Sequence, residues 1–135
     1  MNAPAQTYSE IAPERLLEAA NAQRAAGSRL VQICCSRLQH FELLYSFSRP
    51  HTIEHLRICI PDSRVALPSI SSIYGGSFAY ENEIHDLYGI TFTGMNVDYQ
   101  GHFFRTAIPA PMAVPPVCAA PAPKPNKPQP QKEPT

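Results

Sequence analysis

The stretch Leu30-Val31-Gln32-Ile33-Cys34-Cys35-Ser36-Arg37-Leu38, followed after two residues by Phe41-Glu42-Leu43-Leu44-Tyr45-Ser46-Phe47 and then by Ile53-Glu54-His55-Leu56-Arg57-Ile58-Cys59-Ile60, decides the fold. Successive side chains on a strand point to opposite faces, so a half-buried strand alternates apolar and polar residues. Val31, Ile33 and Cys35 alternate with Gln32, Cys34 and Ser36. Phe41, Leu43, Tyr45 and Phe47 share one face, with Glu42, Ser46 and Ser48 on the other, and Leu56, Ile58 and Ile60 repeat the pattern. The link at Leu38–His40 is short enough for a hairpin, and Pro61-Asp62-Ser63 turns the chain after the third strand.

Upstream, Pro13 and Gly27 bracket an alanine-rich run with Leu16, Leu17 and Ala20 on one side, which predicts a helix over about 13–26. A helix beside an antiparallel sheet of three to four strands is an α+β domain. The remaining composition is divided. Of the 15 prolines, ten lie in residues 109–135, as do all three lysines, whereas residues 1–108 carry eight arginines against ten acids. The expected organisation is a folded domain over 1–108 and an extended, disordered Pro-rich C-terminal tail over 109–135 that serves as a solubilising arm.

Scattered arginines in a near-neutral domain do not make the one-sided basic field that phosphate binding needs, so nucleic acid is excluded as a partner. The uncharged stretch Thr106 to Pro123 contains Pro109, Pro111, Pro115, Pro116 and Pro121, which would break a spanning helix. No secretory signal is visible at the N-terminus, which predicts a cytoplasmic protein. Cys34, Cys35, Cys59 and Cys118 include no Cys-x-x-Cys pair, so no metal cluster is expected in this chain. Cys34, Cys35 and Cys59 read instead as small strand residues in a reducing compartment.

Residues 69–94 change to helical spacing. Ser69 is expected to cap a short turn carrying Ile70, Ile73 and Tyr74, and Gly75-Gly76 breaks it. Ser77 is expected to cap a helix over 77–88 that stops at Gly89, with Tyr80, Ile84, Leu87 and Tyr88 as its apolar stripe. On that helix Glu81 and His85 sit at the stripe's edge, and Glu83 and Asp86 fall together on the far side, where they repel mildly unless a cation joins them. Metal ligation and general acid/base catalysis both require convergent groups, and these two sets diverge; from spacing alone a solvated charged face is the better reading. Ile90 and Phe92 then alternate with Thr91 and Thr93 up to Gly94, and Asp98-Tyr99-Gln100-Gly101 forms a turn before Phe103 and Phe104.

The run Glu81-Asn82-Glu83-Ile84-His85-Asp86-Leu87-Tyr88-Gly89-Ile90-Thr91-Phe92-Thr93-Gly94 resembles the signature of the C-subunit family of respiratory NADH dehydrogenase. Leu67-Pro68-Ser69-Ile70 resembles the family's approach to this helix, and the likeness extends over about residues 30–105. Asn82 stands where the respiratory protein usually has arginine, Ala79 where an aromatic is common, and Met95 to Tyr99 replaces the usual His-Pro-Asp, of which only Asp98 remains. With these departures the sequence is more similar to the small subunit of membrane-bound, energy-converting nickel-iron hydrogenases.

That resemblance implies a cofactor-free, non-catalytic accessory subunit that docks on the nickel-bearing large subunit. The nickel-iron site and the iron-sulfur clusters would belong to partner subunits. The complex would sit on the inner face of the cell membrane and couple ferredoxin-linked hydrogen metabolism to ion translocation, with membrane contact only through the complex. Glu83 and Asp86 are then expected to accept arginines from the large subunit, and Glu81 to anchor the Phe92–Gly94 segment or a partner backbone. Tyr88, Gly89, Phe92, Gly94 and Asp98 complete the expected docking set. Arg105 is expected to be exposed rather than paired with Asp98. Three alternatives stand beside this reading: a subunit of a complex I-like NADH:quinone oxidoreductase, a free-standing module binding a peptide or ligand through Tyr99–Phe104, and a proton relay through Glu81, His85 and Asp86.

Overall fold

The alternation of the opening stretch is realised as a meander. The computed structural model describes residues 5–113; the tail expected over 109–135 lies outside them from residue 114 onward. Strands β2 (Arg29–Arg37), β3 (Phe41–Arg49) and β4 (Thr52–Ile60) pair antiparallel, with Leu43 opposite both Cys35 and Ile58 and Tyr45 opposite both Ile33 and Leu56. The face they share is the core: Leu43, Tyr45 and Ile58 have no exposed surface. Register slips between Leu30 and Gln32, a bulge that turns Val31 out to solvent and leaves Leu30 and Ile33 facing in. The expected inward position of Val31 is corrected by this extra residue, which shifts one strand against its partner.

A fourth strand precedes the helix. β1 (Ala5–Glu10) pairs with β4 in parallel, giving a mixed sheet of order β1-β4-β3-β2 in place of an all-antiparallel one. All six β1 residues are exposed, so no apolar periodicity announces it. A turn of 3-10 helix at Pro13–Arg15 leads into α1 (Leu16–Ala25), which ends before Gly27 in the left-handed conformation (φ 78°). Leu16 and Ala20 enter the core, but Leu17 points outward.

Helix α2 (Ser77–Tyr88) lies across β2, placing Ile84 in the core and the Tyr88 ring edge-on to Phe41. Its stop is the expected one: Gly89 takes φ 76° and donates its N–H to the His85 carbonyl, a geometry that costs a residue with a Cβ. Its start differs. Gly76 occupies the N-cap, and Ser77, expected as the cap, is fully buried and gives its hydroxyl to Glu81 instead. Two short strands flank α2, β5 (Leu67–Pro68) and β6 (Phe92–Thr93), paired in parallel. Beyond Ile108 the chain still touches the domain: Met112 donates its N–H to the Leu87 carbonyl at 2.7 Å, and Arg37 donates to the Ala113 carbonyl. No helix among the described residues is long and apolar enough to cross a membrane.

Candidate functional site

A charged side chain on a helix that packs against a sheet stays solvated unless hydrogen bonds offset its burial. On α2 three polar side chains besides Ser77 are buried, and each is bonded by a different loop. Glu81, with no exposed surface, accepts the Ile70 N–H at 2.9 Å, the Ser77 hydroxyl at 3.3 Å and the Ser69 hydroxyl. Burial pushes its carboxyl above the usual range, and the bonds from Ser69, Ile70 and Ser77 offset part of that. Its charge also bears on Tyr45, whose wholly buried phenol is pushed well above its ordinary value by burial first and then by Glu81 and Cys35.

Asn82 is equally buried and uses both ends of its amide. Its Nδ2 donates to the carbonyls of Phe78 at 2.7 Å and Val97 at 2.9 Å, while Oδ1 accepts the Tyr99 N–H at 3.0 Å. One turn further on, Asp86 Oδ2 accepts the Phe104 N–H at 2.7 Å, and its Oδ1 is buried without a protein partner. His85 Nδ1 bonds the Ile90 carbonyl at 3.0 Å, which puts the proton on that nitrogen. The helix therefore holds four segments by their backbones: Ser69–Ile70, Ile90, Val97–Tyr99 and Phe104. Ser69 and Ser71 extend the clasp, the Ser71 hydroxyl accepting the Asn96 N–H at 2.9 Å.

What the clasp displays is apolar. With their backbones fixed, Val97, Tyr99 and Phe104 turn their side chains outward, each more than 40% exposed. Tyr99, Phe103 and Phe104 stack edge to face with ring centroids 5.0–5.1 Å apart. Beside them a cavity of about 340 Å³ is lined by His85, Asp86, Gly89, Gly101 and residues 106–110.

Several expected positions are corrected. Asp86 is turned inward, so Glu83 and Asp86 do not form one outward carboxylate pair; only Glu83, half-buried beside Cys34 and Tyr88, faces the surface. Glu81 anchors Ser69–Ile70 in the loop before α2, not Phe92–Gly94. Phe92 lies in the core and Gly89 is the helix stop, with Ala110 Cβ within 3.3 Å of where a side chain would start. Tyr88 is half-buried and Gly94 exposed. Asp98, also exposed, accepts the Gln100 N–H and holds a local turn, and Arg105 is exposed. No hydrogen bond links Glu81, His85 and Asp86 to one another among the described residues; each bonds a different segment. Asn82 is the residue that sequence reasoning passed over. Its signal was its type: asparagine is a poor helix former, and one in a helix interior is commonly there to bond backbone elsewhere.

Cys35 behaves as an ordinary strand residue, its thiol pushed up to about 12 by burial and then by Cys34, so it is no nucleophile at neutral pH. Cys118 lies outside the described residues.

The model of the respiratory-chain NADH dehydrogenase 30 kDa subunit family matches residues 9–107. This chain belongs to that family. Among its relatives, the C subunit of NADH-quinone oxidoreductase from Bartonella bacilliformis is 31% identical over 83 residues, covering 55% of this chain and 40% of the relative. The corresponding protein of Mesorhizobium japonicum is 28% identical over 100 residues, 64% of this chain and 50% of the relative. The chain thus spans about half the length of the curated relatives it matches. The same fold occurs in the membrane-bound sulfane sulfur reductase, an archaeal respiratory membrane complex, at TM-score 0.65 and 18% identity over 74% of this chain and 64% of that one. It also occurs in a trypsin-resistant fragment of Nqo5, at TM-score 0.60 and 21% identity over 71% and 85% of the two chains. The family match includes α2 and every segment it clasps.

Proposed function

We propose that this chain is a non-catalytic docking subunit of a complex I-like membrane oxidoreductase, and that the complex is of the energy-converting nickel-iron hydrogenase type. The observation that carries the reading is the inward turn of Glu81, Asn82 and Asp86. Side chains that would be reagents in an active site are engaged in holding backbone, and what they hold outward is an aromatic surface of the kind that interfaces favour. The family supports a place in a respiratory complex. The hydrogenase type is favoured by Asn82 and by the Met95–Tyr99 segment, which depart from the respiratory pattern.

In this reading the nickel-bearing large subunit lies over Val97, Tyr99 and Phe104, and Glu83 accepts an arginine at the rim. Redox centres belong to the partner subunits, and the complex sits on the inner face of the cell membrane. Replacing Tyr99 and Phe104 together with serine should release the protein from the native particle while its circular dichroism is unchanged. Retention with unaltered hydrogenase activity would overturn the docking role. Mass spectrometry of the wild-type particle tests the complex type: nickel-iron and iron-sulfur partners are expected, and NADH-oxidising flavoprotein partners would reassign it.

A further inference from the structure

On the open face of the sheet, away from the clasp, three metal-binding side chains converge from two strands and a turn. Glu42 lies near the start of β3, and His40 stands two residues before it on the turn that leads in. Cys59 on β4 stands directly opposite Glu42 in the antiparallel register. One donor atom from each of the three lies within 4.8 Å of the others, and a tetrahedral ion with bonds of about 2.0–2.3 Å to nitrogen, oxygen and sulfur needs only a modest contraction of that triangle. His40 is exposed on the hairpin turn and can supply the movement.

Glu42 has one charged partner, Arg57. Arg57 Nε lies 3.2 Å from its Oε1 but without hydrogen-bond geometry, so the contact is an ion pair between two partly exposed side chains that leaves the other carboxylate oxygen free of it. A carboxylate has a second oxygen for a metal, and Arg57 can then orient the ligand from behind, as supporting groups commonly do around metal sites. Glu10 faces Arg57 in the β1–β4 register and remains available to the guanidinium.

We propose that His40, Glu42 and Cys59 bind a divalent transition-metal ion of the zinc class, with the fourth position open to water or to a donor from outside the chain. Such an ion ties the β2–β3 turn to the end of β4 and carries no redox chemistry. It revises the expectation of no metal that followed from the missing Cys-x-x-Cys spacing: spacing finds ligands on one local segment, and these meet only through strand register. The inference is independent of the docking reading.

The test is titration of the full chain with cobalt(II) as a zinc surrogate. Wild type should give a near-ultraviolet thiolate-to-cobalt charge-transfer band together with tetrahedral visible bands, both displaced by zinc. Cys59→Ser should abolish the charge-transfer band. Loss of a ligand in His40→Ala should weaken zinc binding by at least the roughly 10–100-fold that loss of a supporting contact costs. His40 is exposed, so that variant keeps its fold, which circular dichroism verifies. A folded wild-type chain with no charge-transfer band would overturn the proposal. So would a band that persists in Cys59→Ser, which would put another thiol on the metal, or zinc affinity unchanged in His40→Ala.

Discussion

The sheet and the clasp around α2 are held by opposite means. The sheet is held by burial of apolar surface: Phe41, Leu43, Tyr45, Phe47, Leu56, Ile58 and Ile60 lie on one face, and the hydrogen bonds run between neighbouring strands. The clasp is held by Glu81, Asn82 and Asp86, which reach across to backbone groups 11 to 18 residues away. Apolar burial is forgiving of detail, because a neighbour can move into the space. A buried amide or carboxylate is not, since its partners have no water to fall back on. The difference separates a frame that any suitable apolar sequence can build from a loop surface that depends on three particular side chains.

The largest effect should come from the frame. Leu43→Ala empties a fully buried site and should cost about 2–5 kcal/mol of global stability, measured by denaturant unfolding. Asn82→Ala should cost less, roughly 1–3 kcal/mol for the groups left unpaired, but its loss is local. Hydrogen exchange at the Tyr99 amide should accelerate well beyond that of β3. A uniform rise across both regions would show that clasp and sheet are one cooperative unit and erase the contrast between them.

A smaller effect separates the charge of Glu81 from its hydrogen bonds. Its carboxyl titrates above the unfolded value, so the folded state holds that proton more tightly. The stability this linkage contributes is full below the unfolded carboxylate pKa and is lost as pH rises through the raised folded value. Glu81→Gln keeps an acceptor for the Ile70 N–H and removes the titration. Its unfolding free energy should lack that decline, and an identical pH slope in both proteins would assign the slope to other groups.

Much of the frame was legible in the sequence, because period-two alternation reports directly on a face that water does not reach. Phe41 to Phe47 reads correctly for that reason, and Val31 does not, because a bulge leaves no mark on the pattern before it shifts it. β1 carries only Ala5 and Tyr8 as apolar residues, three apart and both exposed, so it shows no period-two alternation and was invisible. At the clasp, the position and end of α2 followed from Tyr80, Ile84 and Gly89. The direction of Asp86 did not. A helical wheel assigns polar residues to the solvent side, whereas here loops 90–104 wrap that side and supply the donors that let a carboxylate turn inward. The ligand set proposed for a zinc-class ion was illegible for a related reason, since Glu42 and Cys59 become neighbours only once β3 and β4 are in register.

The exposed strand β1 has a practical consequence for β4. Every β1 residue is exposed, and apart from Tyr8 and Gln6 against the His55 ring what it gives the sheet is backbone pairing, from Ala5 opposite Thr52 to Glu10 opposite Arg57. Without it the Thr52–Arg57 stretch of β4 would be an outer edge, with unpaired backbone alongside Ile53 and Leu56, a template for sticking to a second chain. The strand thus acts as a guard rail: trimming it away should cost little in melting temperature and much in solubility.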